Sequence, residues 1–144
     1  MILYENTIES SFDHVDRTTR EIIGLLREKF QFMDTKYLFN VDFMLREILN
    51  NAVEHGNHFS EDKRVKVGVY YQVPTLVFAI EDEGKGFTQE DIPTKSHDPK
   101  SLLRERHRGH ETLKNMDFDI LIKGNKVSIL LNLNQEAKLW KSNY

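Results

Sequence analysis

Apolar residues recur at Leu38, Val41, Leu45, Ile48, Leu49, Ala52 and Val53. Steps of three and four residues place these side chains on one stripe of an α-helix. The spacing predicts a helix from about Thr35 to about Glu54, with Gly56 standing where it would stop. An earlier segment carries the same signal: Val15, Ile22, Leu26 and Phe30 lie at helical spacing, with Ile23 and Leu25 beside them. Ser10 or Ser11 is placed to cap that helix, because a side-chain oxygen there accepts from the free N–H groups of the first turn. Ile2, Leu3 and Tyr4 predict a short first strand.

The pattern then changes period. Val65, Val67, Val69, Tyr71 and Val73 alternate with Lys66, Gly68, Tyr70 and Gln72. A period of two belongs to a strand with one buried face. Pro74-Thr75 breaks it. Leu76 to Ile80 is apolar on both faces, which predicts a strand interior to the sheet. Ile120 to Ile122, Gly124-Asn125 and Val127 to Leu133 predict a hairpin, with Gly-Asn supplying positive φ in the turn. Between these strands, the stretch from Asp82 to Gly109 is polar and contains Gly84, Gly86, Pro93 and Pro99. A loop this long in a small domain is usually functional, and residues of about 88–108 are expected to form a lid. The tail after Asn134 gives no clear signal, and Leu139 and Trp140 are candidates for docking on the core. The aromatic residues Phe32, Tyr37 and Phe39 are expected to pack inside, although they are also candidates for partner contact.

This order of elements predicts one α+β domain over 1–144: a two-layer sandwich with helices on one face of a mixed, mostly antiparallel sheet. The 144 residues suit a single core. Apolar residues at 39% and charged residues at 30% are those of a globular chain. A formal charge of -3 argues against a dedicated nucleic-acid binder. Cysteine is absent, which excludes disulfides and thiolate metal sites. No apolar run approaches the roughly 20 residues of a membrane span, and Met1-Ile2-Leu3-Tyr4-Glu5 lacks the pattern of a signal peptide. The expectation is a cytoplasmic protein.

Three groups of residues carry candidate chemistry. Glu47 and Asn51 are four apart and share a helix face on the flank of the apolar stripe. A carboxylate there can act as a general base, and an amide oxygen is a hard ligand suited to Mg²⁺. Taken alone, however, two such residues read more readily as an ordinary polar helix flank. Asp82 continues the Leu76, Phe78, Ile80 face, so it is a carboxylate on an apolar face and needs a donor. Gly84 and Gly86 follow at once; glycines permit positive φ and close approach. Arg108-Gly109 precedes Glu111 to Met116, and a glycine at a helix start leaves backbone N–H groups for phosphate. Six histidines include the pairs His55/His58 and His107/His110, but no third ligand is evident for zinc.

As a set, these residues resemble a known family. The stretch Leu45-Arg46-Glu47-Ile48-Leu49-Asn50-Asn51-Ala52-Val53-Glu54-His55-Gly56-Asn57 resembles the N box of the GHKL ATPases, which include gyrase, histidine kinases and anti-sigma-factor kinases. Asp82-Glu83-Gly84-Lys85-Gly86-Phe87 resembles their first glycine box. The likeness runs from about Ile8 to Leu133, and the short, undivided length is similar to the anti-sigma-factor kinase branch. It implies a Bergerat ATP-binding fold and ATP with Mg²⁺ as cofactors. It implies that Asn51 coordinates Mg²⁺, that Glu47 is the general base and that Asp82 accepts from the adenine amino group. His55, Gly84, Gly86, Arg108, Gly109 and Thr112 fall at nucleotide-binding positions.

The implied partners are a sigma factor and an anti-anti-sigma protein of STAS type, with phosphoryl transfer to a serine or threonine of the latter. A homodimer is also implied. One departure stands out: where the family's second glycine box reads glycine, any residue, glycine, this chain has His107-Arg108-Gly109. Two other readings therefore stand beside the kinase: a non-catalytic partner-binding module, and a stand-alone GHKL ATPase. A full histidine kinase is disfavoured, because His14 has no two-helix dimerisation domain around it.

Overall fold

The structure, a computed structural model, describes residues 1–85 and 117–133. The lid-like stretch 88–108, Gly86, the second glycine box with Arg108 and Gly109, Thr112, and the tail with Leu139 and Trp140 lie outside these residues.

Strand β1 spans Ile2–Glu9, helix α1 Phe12–Lys29 and helix α2 Thr35–Asn51. Strands β2 (Arg64–Gln72), β3 (Thr75–Glu81), β4 (Phe118–Lys123) and β5 (Lys126–Asn132) follow. The strand order is β1-β2-β3-β5-β4. Among the described residues every pairing is antiparallel, so the sheet is antiparallel here rather than mixed. The two helices pack on one face, and the architecture is the expected α+β two-layer sandwich. Strand β3 lies at the centre of the sheet, as its two apolar faces predict.

Register explains the core. Tyr4 lies opposite Val69, Val69 opposite Phe78, Phe78 opposite Ile129, and Ile129 opposite Ile120. This row runs across all five strands and meets the helices. Phe78, Ile129, Ile22, Leu26, Met44, Leu45 and Leu49 are sealed from solvent. Burying each such side chain contributes about 1.5–3 kcal/mol before entropy is counted. The alternation of β2 stops at Gln72, and Val73 beyond it is 79% exposed. Tyr37 is buried and Phe32 packs partly against the core, but Phe39 is 61% exposed. Phe39 lies outside the buried stripe of its helix, so core packing holds for two of the three aromatics.

The caps divide the work between two serines. Ser11 caps α1, its Oγ accepting from the His14 N–H at 3.2 Å and also lying 2.6 Å from His14 Nδ1. Ser10 is buried and donates to the Lys63 carbonyl at 2.7 Å instead. Asp34 caps α2 by accepting from the Tyr37 N–H at 2.8 Å. Arg46 ties the helices together, with Nη1 on Asp16 and Nε on Asp42, each at 2.6 Å. In the β4–β5 turn the positive φ belongs to Gly124 alone, at 61°. Asn125 does not share it, so the turn requires glycine only at its first central position.

Candidate functional site

The apolar stripe continues beyond Asn51, but the winding changes. Ala52–Gly56 form a π turn, closed by the Asn57 N–H donating to the Ala52 carbonyl at 2.8 Å. Such single π turns are rare and concentrate at functional sites. The chain then turns sharply through His58 and Phe59, at φ 50° and 56°. Phe59 packs edge-on against Phe12 with ring centroids 5.1 Å apart.

Gly56 does not serve as a left-handed helix stop, since Gly124 is the glycine with positive φ among the described residues. Its role is close approach. A Cβ on Gly56 would stand 2.8 Å from one Asp82 carboxylate oxygen and nearer still to the rest of that group. A Cβ on Gly84 would stand 2.9 Å from the same oxygen and closer to the Gly56 carbonyl. The π turn after α2 and the end of β3 thus meet through two glycines, with the Asp82 carboxylate between them. The close approach expected at Gly84 is present, through steric need rather than backbone torsion, while Gly86 lies outside the described residues.

Asp82 is 8% exposed and lies on the face of Leu76, Phe78 and Ile80, as its position predicts. The Gly84 N–H donates to its Oδ1 at 2.7 Å. Among the described residues nothing donates to the second oxygen, and that oxygen is not sealed from solvent. The result is a half-satisfied acceptor at the border of the core. Burial raises its pKa above the usual carboxylate value; the Gly84 N–H opposes the shift, Glu81 adds to it, and Lys63 opposes it.

The sign of the pH effect follows. Above the unfolded-state pKa the fold holds the Asp82 proton more tightly than the unfolded chain does. Its ionisation therefore costs stability increasingly as pH rises through the folded value, and in full above it. Asp82→Asn keeps an oxygen for the Gly84 N–H and removes the charge. The variant is expected to melt above the wild type at pH 7, with the gap closing below pH 3.8, the unfolded-state value. Thermal melts at the two pH values check this, and a variant that melts lower at pH 7 would contradict it.

Asn57 was legible only as the last residue of the resembling stretch, yet it organises the region. It is fully buried; its Nδ2 donates to Ser10 Oγ and to the Arg64 carbonyl at 3.0 Å each, and its Oδ1 accepts from the Glu83 N–H at 2.7 Å. It joins the ends of β1, β2 and β3 to the π turn. Asn125 reaches the same place from the β4–β5 turn, accepting from the Asp82 N–H and donating to the Asp82 carbonyl.

Glu47 and Asn51 sit half-buried, one turn apart, on the last turns of α2 leading into Ala52–Gly56. His55 is exposed, and its Nε2 lies 3.9 Å from Glu54 Oε2. The structure therefore brings Gly56, Asp82 and Gly84 into contact and puts Glu47 and Asn51 on the helix that ends there, with His55 facing solvent. Among the described residues no three His, Asp or Glu side chains gather into a metal cage. No helix among them is long and apolar enough to cross a membrane.

Comparison with known proteins agrees with this geometry. The family model described as "Histidine kinase-like ATPase domain" matches residues 8–120. Among solved structures, the histidine kinase domain of the Erythrobacter litoralis EL346 blue-light activated histidine kinase is similar, with TM-score 0.54 and 15% identity. That likeness covers 90% of this chain and 64% of that one, so this chain spans less than two thirds of its length. A comparison with curated protein sequences gives no match. With four fifths of its length inside the family model, and with an acceptor carboxylate set between two glycines at the end of its second helix, the chain belongs to the histidine kinase-like ATPase family, a family of ATP-binding kinases and ATPases.

Proposed function

We propose that this domain binds Mg²⁺-ATP and transfers its γ-phosphoryl group to a serine or threonine of a partner protein, in the manner of the anti-sigma-factor kinases. The observation that carries the reading is the Asp82 carboxylate, buried against Gly56 and Gly84 with one oxygen lacking a donor among the described residues. A buried acceptor of this kind suits an exocyclic amino group, and adenine carries one. Asp82 would hold the base. Asn51 offers an amide oxygen to Mg²⁺, which binds through one or two protein oxygens plus phosphate oxygens rather than an all-protein cage. Mg²⁺ would neutralise charge on the phosphates.

Glu47 would take the proton of the attacking hydroxyl. The new bond joins the acceptor oxygen to Pγ, and the bond from Pγ to the bridging oxygen breaks to release ADP. Transfer of this type depends on positioning and charge neutralisation more than on covalent help. The Glu47–Asn51 pair on the approach to the π turn matches that need. The protein acceptor would be an anti-anti-sigma protein of STAS type, with a sigma factor as the second partner. The resemblance of the Leu45–Asn57 stretch to the N box supports the ATP-dependent part of this reading.

The test is calorimetric titration with ATP, with and without Mg²⁺, followed by transfer of labelled phosphate to a candidate partner. Micromolar, Mg²⁺-dependent binding with acid-stable label on the partner is the expected result. Acid-labile label would indicate a histidine acceptor. Release of phosphate with no labelled protein would indicate a stand-alone ATPase, and no binding at millimolar ATP would leave a partner-binding module.

A further inference from the structure

We infer that Asn125, at the tip of the β4–β5 hairpin, sets the direction of the Asp82 acceptor and so fixes the preference for a base that bears an amino group. The inference rests on the reading of Asp82 as the base-binding residue.

Two peptide planes flank the Asp82 Cα, and both are held. Ladder pairing of β3 with β5 ends at Glu81 opposite Lys126. One residue on, the Asp82 N–H donates to the Asn125 carbonyl at 3.1 Å, and the Asp82 carbonyl accepts from Asn125 Nδ2. The N–H belongs to the plane before the Asp82 Cα and the carbonyl to the plane after it. Holding both planes fixes φ and ψ together, and with them the Cα–Cβ direction. The plane after Asp82 is gripped twice, since its N–H is that of Glu83, which donates to Asn57 Oδ1 at 2.7 Å. The carboxylate thus leaves a backbone clamped from both sides.

The turn itself does not demand asparagine at 125. Positive φ belongs to Gly124, and residue 125 has no positive φ to accommodate. The side chain's bond to the Asp82 carbonyl accounts for its identity. Asn57 is a poorer probe, because it also holds Ser10 and Arg64 from a fully buried position. Asn125 is half-buried on a hairpin tip, where substitution leaves the core intact.

The experiment compares dissociation constants for ADP and for purine riboside diphosphate, which lacks the 6-amino group, in the full chain with Mg²⁺. The wild type should prefer ADP. Asn125→Ala should shrink that preference by about fivefold, the factor a single hydrogen bond supplies, with little change for the deamino nucleotide. Asn125→Gln, which keeps an amide donor, should recover part of the preference. An unchanged ratio in Asn125→Ala, whatever its melting temperature, would overturn the proposal by leaving Asn125 a merely structural role. If Asn125→Ala loses cooperative melting, Asn125→Ser takes its place: a reduced ratio supports the proposal and an unchanged one overturns it. A wild type that binds both nucleotides equally would instead refute the reading of Asp82, and the proposal with it.

Discussion

On the proposed function, replacing Glu47 with alanine is expected to slow phosphoryl transfer to the partner protein by about 10²- to 10⁴-fold, the range a positioned general base supplies. Nucleotide affinity should change little. The separation follows from position. Glu47 lies half-buried on α2 between the sealed residues Leu45 and Leu49, and the Asp82 acceptor lies past the end of that helix. Removing the carboxylate would take away the proposed proton acceptor but leave the proposed base contact at Asp82. Alanine is the strongest helix former, so α2 should persist. Glu47→Gln keeps the shape without the basicity and should lose nearly as much rate. Single-turnover transfer assays beside calorimetry with a non-hydrolysable nucleotide separate the two quantities. Transfer that survives in both variants would remove Glu47 from the chemistry.

Gly56→Ala should show the reverse pattern, with binding lost first. One methyl group would have to share space with the Asp82 carboxylate, 2.8 Å or less from every atom of it that Gly56 faces. Something must move, and overpacking of this kind costs about 1–3 kcal/mol. The backbone on the Asp82 side is clamped by Asn125 and Asn57. The carboxylate is the freer part, so it should rotate away from its Gly84 donor. We expect a lowered melting temperature and a loss of ATP affinity of tenfold or more, at about 1.4 kcal/mol per factor of ten. Wild-type affinity in this variant would show that the nest of Gly56, Asp82 and Gly84 is not the base site.

Much of this architecture is written in periodicity. The steps from Leu38 to Val53 and the alternation from Val65 to Tyr71 each leave one face to bury, and these faces meet in the structure. The acceptor was legible too, because a carboxylate that continues an apolar strand face must find a donor. Other features leave no such trace. The π turn is silent because Ala52 and Val53 continue the apolar stripe and are buried as a plain helix would predict. The exposure of Phe39 is hidden because an aromatic next to an apolar stripe reads as core until the helix is rotated against its sheet. Asn125 was legible as a turn residue, and that local role concealed the bond it makes to Asp82, 43 residues away in sequence. The likeness to a family supplied roles that spacing alone left open, above all for Glu47 and Asn51.

The π turn has a consequence of phase. An α-helix advances about 100° per residue, and a wider turn holds one residue more before the chain comes round again. Every residue of α2 up to Asn51 is therefore set by one clock, and Gly56 by another that runs a step late. Winding Ala52–Gly56 as plain α-helix, with no residue removed, would keep the stripe up to Asn51 while swinging the glycine off the carboxylate by close to that angle. The extra residue is a phase shifter: it lets one continuous segment satisfy the core with its first part and the acceptor site with its last.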